Sequence, residues 1–270
     1  MLLPLDAYFA RIGYRGPREP TLEVLDALTR AHASAIPFEN LDVLLGRPMS
    51  LAPEALFQKL VGERRGGYCF EQNGLFLEVL TQMGFEARPI SARVRIDRPR
   101  DAIPPRTHMF LRVEVDGASR LTDVGVGALS LTRSLRLQAE GAQPTPHESR
   151  RIVHEDGRWF HQVQLGDAWH DVCEFTLEEM PLIDREVGHW FTAAHPQSHF
   201  RNRLIVARAG SDGTRITLLN RELKHRSRDG RAEVQALGSP RELLAALREV
   251  FGLQFPDDTR FGPPGSPWPS

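Results

Sequence analysis

Apolar residues recur at helical spacing through the first third of the chain. Leu22, Leu25 and Leu28 mark one inward face, opened by Thr21 as an N-cap after Pro20 and closed before Pro37. A shorter helix covers Asp6 to Ile12. Pro53 begins a third helix, a first-turn position that suits proline, with Leu56, Phe57, Leu60 and Val61 along one side. Between them, Ile36-Pro37-Phe38-Glu39-Asn40-Leu41 reads as a turn or extended segment. The run Leu75, Phe76, Val79, Leu80 and Met83 predicts a fourth helix, stopped by Gly84 as a C′ glycine. From residue 87 the period changes. Ala87–Ile96, His108–Val115, Arg120–Val124, Arg158–Val163 and Trp169–Phe175 read as strands, rich in β-branched and aromatic residues. Asp116-Gly117 and Gly166-Asp167 are turn signals, and Gln138–Glu148 is a polar loop. Many short strands in succession predict an antiparallel barrel or a strongly curved sheet. Residues 200–270 predict a smaller α/β unit. It holds a hairpin, Leu204–Ala209 with Thr214–Leu219, and a helix opened by the capping box Ser239-Pro240-Arg241-Glu242 and stopped at Gly252. The tail from Phe261 reads as loose, or as a strap that Trp268 could pack over the surface.

The division is therefore 1–86 helical, 87–190 a β-barrel and 191–270 an α/β lid, an α+β chain of three domains. Its 270 residues suffice for two or three cores. A net charge of −1 gives no sign of nucleic acid or membrane as a partner. No apolar run approaches spanning length, and the start lacks the basic leader of a signal peptide. Two cysteines, Cys69 and Cys173, suggest a reduced, cytoplasmic setting rather than a disulfide framework. No CxxC or HExxH supports a metal, and no GxxxxGK[ST] or GxGxxG supports a phosphate loop. Oligomeric state is not readable.

The candidate chemistry lies at the junction of loop and helix, Arg64-Arg65-Gly66-Gly67-Tyr68-Cys69-Phe70-Glu71-Gln72-Asn73-Gly74. Cys69 falls on the first helical turn, where unpaired N–H groups and the helix dipole favour a thiolate. Gly66 and Gly67 would let a substrate approach the sulfur closely. A small buried cysteine is the competing reading. A nucleophilic thiol needs a base and a group to orient that base. If Asp116-Gly117 is a two-residue turn, Val115 faces Ala118 and Phe110 faces Asp123, so His108 and Asp123 are diagonal neighbours on one face. A three-residue turn would put Asp123 on the opposite face. Cys69, His108 and Asp123 can then form a triad. Cys173, in Val172-Cys173-Glu174-Phe175, reads as a packed hydrophobe. Arg64 and Arg65 read as a solvated loop or a salt bridge to Glu39, and the arginines between Arg201 and Arg231 as a solvated surface.

Arg65-Gly66-Gly67-Tyr68-Cys69-Phe70-Glu71-Gln72-Asn73, Thr107-His108-Met109, Thr122-Asp123-Val124-Gly125, His195-Pro196-Gln197-Ser198-His199-Phe200 and Pro37-Phe38-Glu39-Asn40-Leu41 resemble the motifs of the arylamine N-acetyltransferases, in order and spacing. The resemblance implies a helical bundle, a β-barrel and an α/β lid, and a ping-pong reaction. Acetyl-CoA, a substrate rather than a bound cofactor, would acetylate Cys69; an aromatic amine, hydroxylamine or hydrazine would then take the acetyl group. His108 and Asp123 match the family's catalytic pair. Thr107 and Gly125-Val126-Gly127 would lie beside the CoA arm, and Phe38 and Phe200 would line the acceptor pocket. Val126 departs from the family, which commonly carries an aromatic there; the smaller side chain leaves more room and less stacking surface. An amide synthase of the same family, fed by a carrier-bound acyl chain, and a transglutaminase-like thiol hydrolase are the alternatives that the same triad order allows.

Overall fold

The computed structural model describes residues 2–261, so the tail that carries Trp268 lies outside the described residues. The N-terminal part holds helices α1 (Leu5–Ile12) and α2 (Leu22–Ala35), strand β1 (Phe38–Glu39), and helices α3 (Leu41–Leu44), α4 (Pro53–Phe57) and α5 (Cys69–Gln82). Thr21 caps α2, accepting from the Val24 N–H. The end of α5 follows the glycine expectation: Gly84 sits at φ +89°, its N–H bonds the Thr81 carbonyl, and the Phe85 N–H bonds that of Leu80. One helical element goes beyond the apolar pattern. After α4 the chain makes a π-helical turn, Gln58–Gly62, rather than continuing as an α-helix.

Seven antiparallel strands follow: β2 (Glu86–Val94), β3 (His108–Val115), β4 (Ala118–Thr122), β5 (Leu135–Arg136), β6 (Arg150–Glu155), β7 (Arg158–Leu165) and β8 (Ala168–Glu179). Their order is β5-β4-β3-β2-β8-β7-β6, and the Gln143–Arg150 bridge beside the end strands brings the sheet close to a closed barrel. The β3–β4 hairpin has the two-residue turn that the triad argument requires. Val115 pairs with Ala118 and Leu111 with Thr122, and Asp116 and Gly117 both have positive φ, at +50° and +70°.

Helix α6 (Leu182–Ala194) runs across residue 190 and leads to the final unit, strands β9 (Ile205–Ala209), β10 (Arg215–Leu219), β11 (Glu222–Arg226) and β12 (Ala232–Ala236) and helix α7 (Pro240–Phe251). Ser239 caps α7 through the Glu242 N–H. The sheet of this unit is completed from the other end of the chain: β1 pairs with β9, Phe38 opposite Ala207. Three apolar clusters result, one around α1, α2 and α5, one inside the barrel, and one between α7 and the β9–β12 sheet. The expectation of a uniformly solvated arginine surface after residue 200 fails at Arg215, which is 3% exposed and bonds the Glu148 carboxylate at 2.7 Å. A buried guanidinium needs such a partner. Among the described residues no helix is long and apolar enough to cross a membrane.

Candidate active site

Cys69 is the first residue of α5 and is buried, with its thiol donating to the Thr107 carbonyl at 3.5 Å. The turn that carries it and the segments packed beside it are held from several sides. Arg11 donates through Nε to the Leu60 carbonyl at 2.9 Å and through Nη1 to that of Ala35 at 2.8 Å. Gln72 donates to the carbonyls of Pro37 (2.8 Å) and Gly67 (3.2 Å) and accepts from His32 Nε2 at 2.6 Å. Because that bond makes Nε2 of His32 the donor, Nδ1 is left to accept from the Tyr8 hydroxyl at 2.8 Å. Arg65 pairs with Glu39 at 2.6 Å in a buried contact, which resolves the open reading of that arginine in favour of the salt bridge.

The two glycines before Tyr68 serve packing rather than substrate approach. A Cβ on Gly66 would lie 2.1 Å from the Pro37 carbonyl oxygen, and one on Gly67 would lie 2.7 Å from the Glu71 carboxylate. Gly125 is a third close approach. A Cβ there would meet the Cys69 Cα at 2.7 Å and the Asn73 amide nitrogen at 2.8 Å. The loop after β4 is thus pressed onto the first turn of α5, which brings the barrel's side chains to the cysteine.

The hairpin register places His108 at the start of β3 and Asp123 one residue beyond β4, and His108 Nε2 lies 2.7 Å from Asp123 Oδ2. The other carboxylate oxygen accepts from the Asn73 amide and from the Gly125 N–H, both at 2.9 Å. With Nε2 committed to Asp123, the Cys69 sulfur falls to His108 Nδ1. Burial works against an imidazolium here. The Asp123 carboxylate and the hydrogen bonds to Asp123 and Cys69 outweigh it, and the His108 pKa rises to about 10. Asp123 is itself held low: burial opposes its charge, and His108, Asn73 and Gly125 more than compensate.

Asn73 is the member that sequence reasoning missed. Its amide also donates to the Met109 carbonyl at 2.7 Å, and its oxygen accepts the Val124 N–H at 3.0 Å, so one side chain ties α5 to β3 and to the loop after β4. The signal was its position four residues after Cys69, on the same helix face. His189 of α6 was also missed. It accepts from or donates to the Tyr68 hydroxyl at 2.7 Å, stacks on that ring, and is lowered to about 4 by burial and by Lys59.

Phe38 and Phe200 meet edge to face at 6.0 Å, and Tyr68 meets Phe200 at 5.4 Å, giving an aromatic wall beside Cys69. Asn40 holds that wall, donating to the Phe200 and Arg203 carbonyls, each at 2.7 Å. Gly127, at φ +83°, faces the Phe38 ring. The Val126 side chain belongs instead to the barrel's apolar cluster and is 9% exposed. Cys173 is wholly buried in that same cluster, and burial pushes its thiol up. Its sulfur, His108 and Asp123 offer donor atoms within 4.8 Å of one another, but a metal there would have to displace the His108–Asp123 bond.

A sulfur beside an imidazolium, backed by a saturated carboxylate, is an arrangement for covalent acyl chemistry. A family model described as N-acetyltransferase matches residues 21–260. The arylamine N-acetyltransferase of Escherichia coli is 40% identical over 258 residues, covering 96% of this chain and 91% of its own. The structure of the Mycobacterium tuberculosis arylamine N-acetyltransferase superposes with a TM-score of 0.90 at 41% identity, covering 97% of each chain. That of Mycobacterium marinum, in complex with CoA, gives a TM-score of 0.88 at 39% identity, covering 92% of each. This chain, too, is an enzyme of the arylamine N-acetyltransferase family.

Proposed function

We propose that Cys69 is the nucleophile of a two-step acetyl transfer, with His108 as its base and Asp123 as the group that orients His108. The position of His108 between the sulfur and the carboxylate carries this reading. In the first step the thiolate attacks the thioester carbonyl of acetyl-CoA. The C–S bond to CoA breaks, and the departing CoA thiolate takes the proton from His108. In the second, an arylamine attacks acetyl-Cys69, its N–H proton passes to His108, and the cysteine sulfur leaves. Exchange of one thioester for another is nearly neutral in free energy, so the first step depends on a good thiolate more than on tight binding. The second suits weakly basic amines, which are uncharged at neutral pH and nucleophilic as they stand; arylhydroxylamines and arylhydrazines share that property.

The CoA bound to the M. marinum relative supports CoA as the leaving group. Thr107 and the Gly125–Gly127 loop, which flank Cys69, are assigned to the donor side, and Phe38 and Phe200 to the acceptor. On this reading residues 1–86 bring the nucleophile, 87–190 the base and its orienter, and 191–270 part of the acceptor wall. Both cysteines are free thiols, in keeping with a reducing cytoplasmic setting.

Intact mass after incubation with acetyl-CoA tests the assignment. One acetyl increment is expected on the wild type and none on Cys69→Ser. His108→Gln should also lack it while remaining folded. An increment that survives Cys69→Ser, or His108→Gln acetylated at the wild-type rate, overturns the respective role.

A further inference from the structure

Beneath the Cys69 turn, five charged side chains alternate in sign: Glu39, Arg65, Asp42, Lys59 and Glu71. Arg65 Nη2 lies 2.6 Å from Glu39 and 3.0 Å from Asp42. Lys59 Nζ lies 2.7 Å from Asp42 Oδ2 and 2.6 Å from Glu71 Oε1. All five side chains are 15% exposed or less. Arg47, half exposed, reaches the same Asp42 carboxylate at 3.4 Å, so three carboxylates meet three cations, and the network ends on Glu71, two residues from Cys69.

Glu71 has a local task. Its second oxygen accepts the Tyr68 N–H at 3.1 Å, which closes the helix N-terminus on the residue before the cysteine. A carboxylate in that place also repels an anionic sulfur. Among the described residues, Lys59 is the one cation ion-paired with Glu71. It is delivered by the π-helical turn Gln58–Gly62. Such wide turns are rare and collect at functional sites. This one keeps Leu60 and Val61 buried while Lys59 sits between Asp42 and Glu71. The other groups acting on the sulfur are His108 from β3, with Asp123 behind it, Cys173 from β8, and Tyr68 next to it in the chain; Glu39 from β1 acts on Glu71.

We propose that Lys59 is a positioning residue for acyl transfer: it neutralises Glu71, so the capping carboxylate holds the Cys69 turn without repelling the charged nucleophile. This rests on Cys69 being the nucleophile.

The pH profile of Cys69 alkylation by iodoacetamide, followed by peptide mass, is the test, because it reads the sulfur with no acyl donor present. Lys59→Met should move the midpoint upward by about one pH unit, the size expected of one uncompensated charge several ångströms away in a partly buried site. Lys59→Arg should match the wild type. Adding Glu71→Gln to Lys59→Met should bring the midpoint back, since the amide oxygen still accepts the Tyr68 N–H but carries no charge. An unchanged midpoint in Lys59→Met, or a shift that persists in the double variant, overturns the proposal. Should Lys59→Met fail to fold, Glu71→Gln alone decides: a lowered midpoint supports the proposal, and an unchanged or raised one refutes it. Failure of the nucleophile assignment would show separately, as an acetyl increment that survives Cys69→Ser.

Discussion

Replacing Gly125 by alanine should separate the assembly of the triad from the stability of the fold. The backbone of Gly125 is not in the left-handed region, so the demand is for space alone. The added methyl would lie 2.7 Å from the Cys69 Cα and 2.8 Å from the Asn73 amide nitrogen, where carbon atoms in contact settle nearer ~3.5–4.0 Å. The Cα belongs to the first turn of α5, held by Gln72 and Glu71, so the loop after β4 is the part that retreats, by roughly 1 Å. Asp123 lies two residues back and accepts the Gly125 N–H at 2.9 Å, so it moves with the loop. Its 2.7 Å bond to His108 does not survive a displacement of that size. Overpacking of this kind costs about 1–3 kcal/mol. At roughly 2–4 °C per kcal/mol, melting should fall by several degrees. Misplacing the base by about 1 Å should slow Cys69 acetylation on the order of 100-fold. Stopped-flow release of CoA measures the rate, and thermal unfolding measures the fold. Gly141→Ala is the control. Its glycine sits at φ +78° with nothing within 4 Å of the added methyl, so it should lose stability through backbone strain and keep the acetylation rate. Gly125→Ala acetylated within threefold of the wild type would refute the close-approach argument.

Asn73→Ala should destabilise the protein by about 2–4 kcal/mol, because it strands the buried Val124 N–H and removes two donors from Asp123 and Met109; denaturant unfolding without such a loss would remove Asn73 as the tie between α5 and the hairpin. The His108–Asp123 pair also predicts a sign for pH. The folded pKa of His108 lies above its unfolded value, so its contribution to stability is complete below about 6.5 and is lost as pH rises towards about 10. Asp123 is shifted down, so its contribution is present above the ordinary carboxylate range and disappears as pH falls through its folded value. The melting temperature of the wild type should therefore fall more steeply between pH 7 and 9.5 than that of His108→Gln, and parallel curves would contradict the charged pair. Val126→Phe should overpack the barrel cluster that holds this side chain and cost about 1–3 kcal/mol, and a melting temperature equal to that of the wild type would take Val126 out of that cluster.

What could be read from sequence was whatever rests on local chemistry. Asp116-Gly117 offered the two-residue register on which His108 and Asp123 share a face, with a three-residue turn as the alternative, and both residues take the positive φ that suits the two-residue turn to the twist of the strands. The caps Thr21 and Ser239 act within their own first turns. Helix α6 escaped for a physical reason. Its buried residues are Gly188 and Thr192, while Ile183, Val187 and Trp190 face solvent, so its apolar stripe marks no core. Strand β6 begins with a fully buried arginine, Arg150, whose charge is met by Glu148, and a polar start of that kind does not read as a strand. Its turn, Asp156-Gly157, repeats the Asp-Gly signal between charged neighbours. Strand β1 has two residues and finds its partner near residue 206, which no local pattern can announce.

The same distinction explains why the triad was readable and its support was not. A nucleophile, a base and a carboxylate are recognisable as residue types, and two of them lay on one hairpin. The groups that make them work face across units. Asn73 reaches from helix to barrel and Asn40 from β1 to the loop of Phe200, while Arg65, which reaches from the cysteine loop to Glu39 beside Phe38, was legible only as one of two readings. Each is a polar side chain buried because its partners are backbone groups or charges supplied by a distant segment, and leaving any of them unpaired costs more than the bond itself contributes. Phe38 joins the aromatic wall while the next residue, Glu39, anchors the loop that leads to Cys69, so the wall proposed for the acceptor and the proposed nucleophile are fixed by neighbouring residues of one short strand. A substitution at Glu39 should therefore disturb acetylation and acceptor choice together, although Glu39 itself touches neither the sulfur nor the aromatic wall.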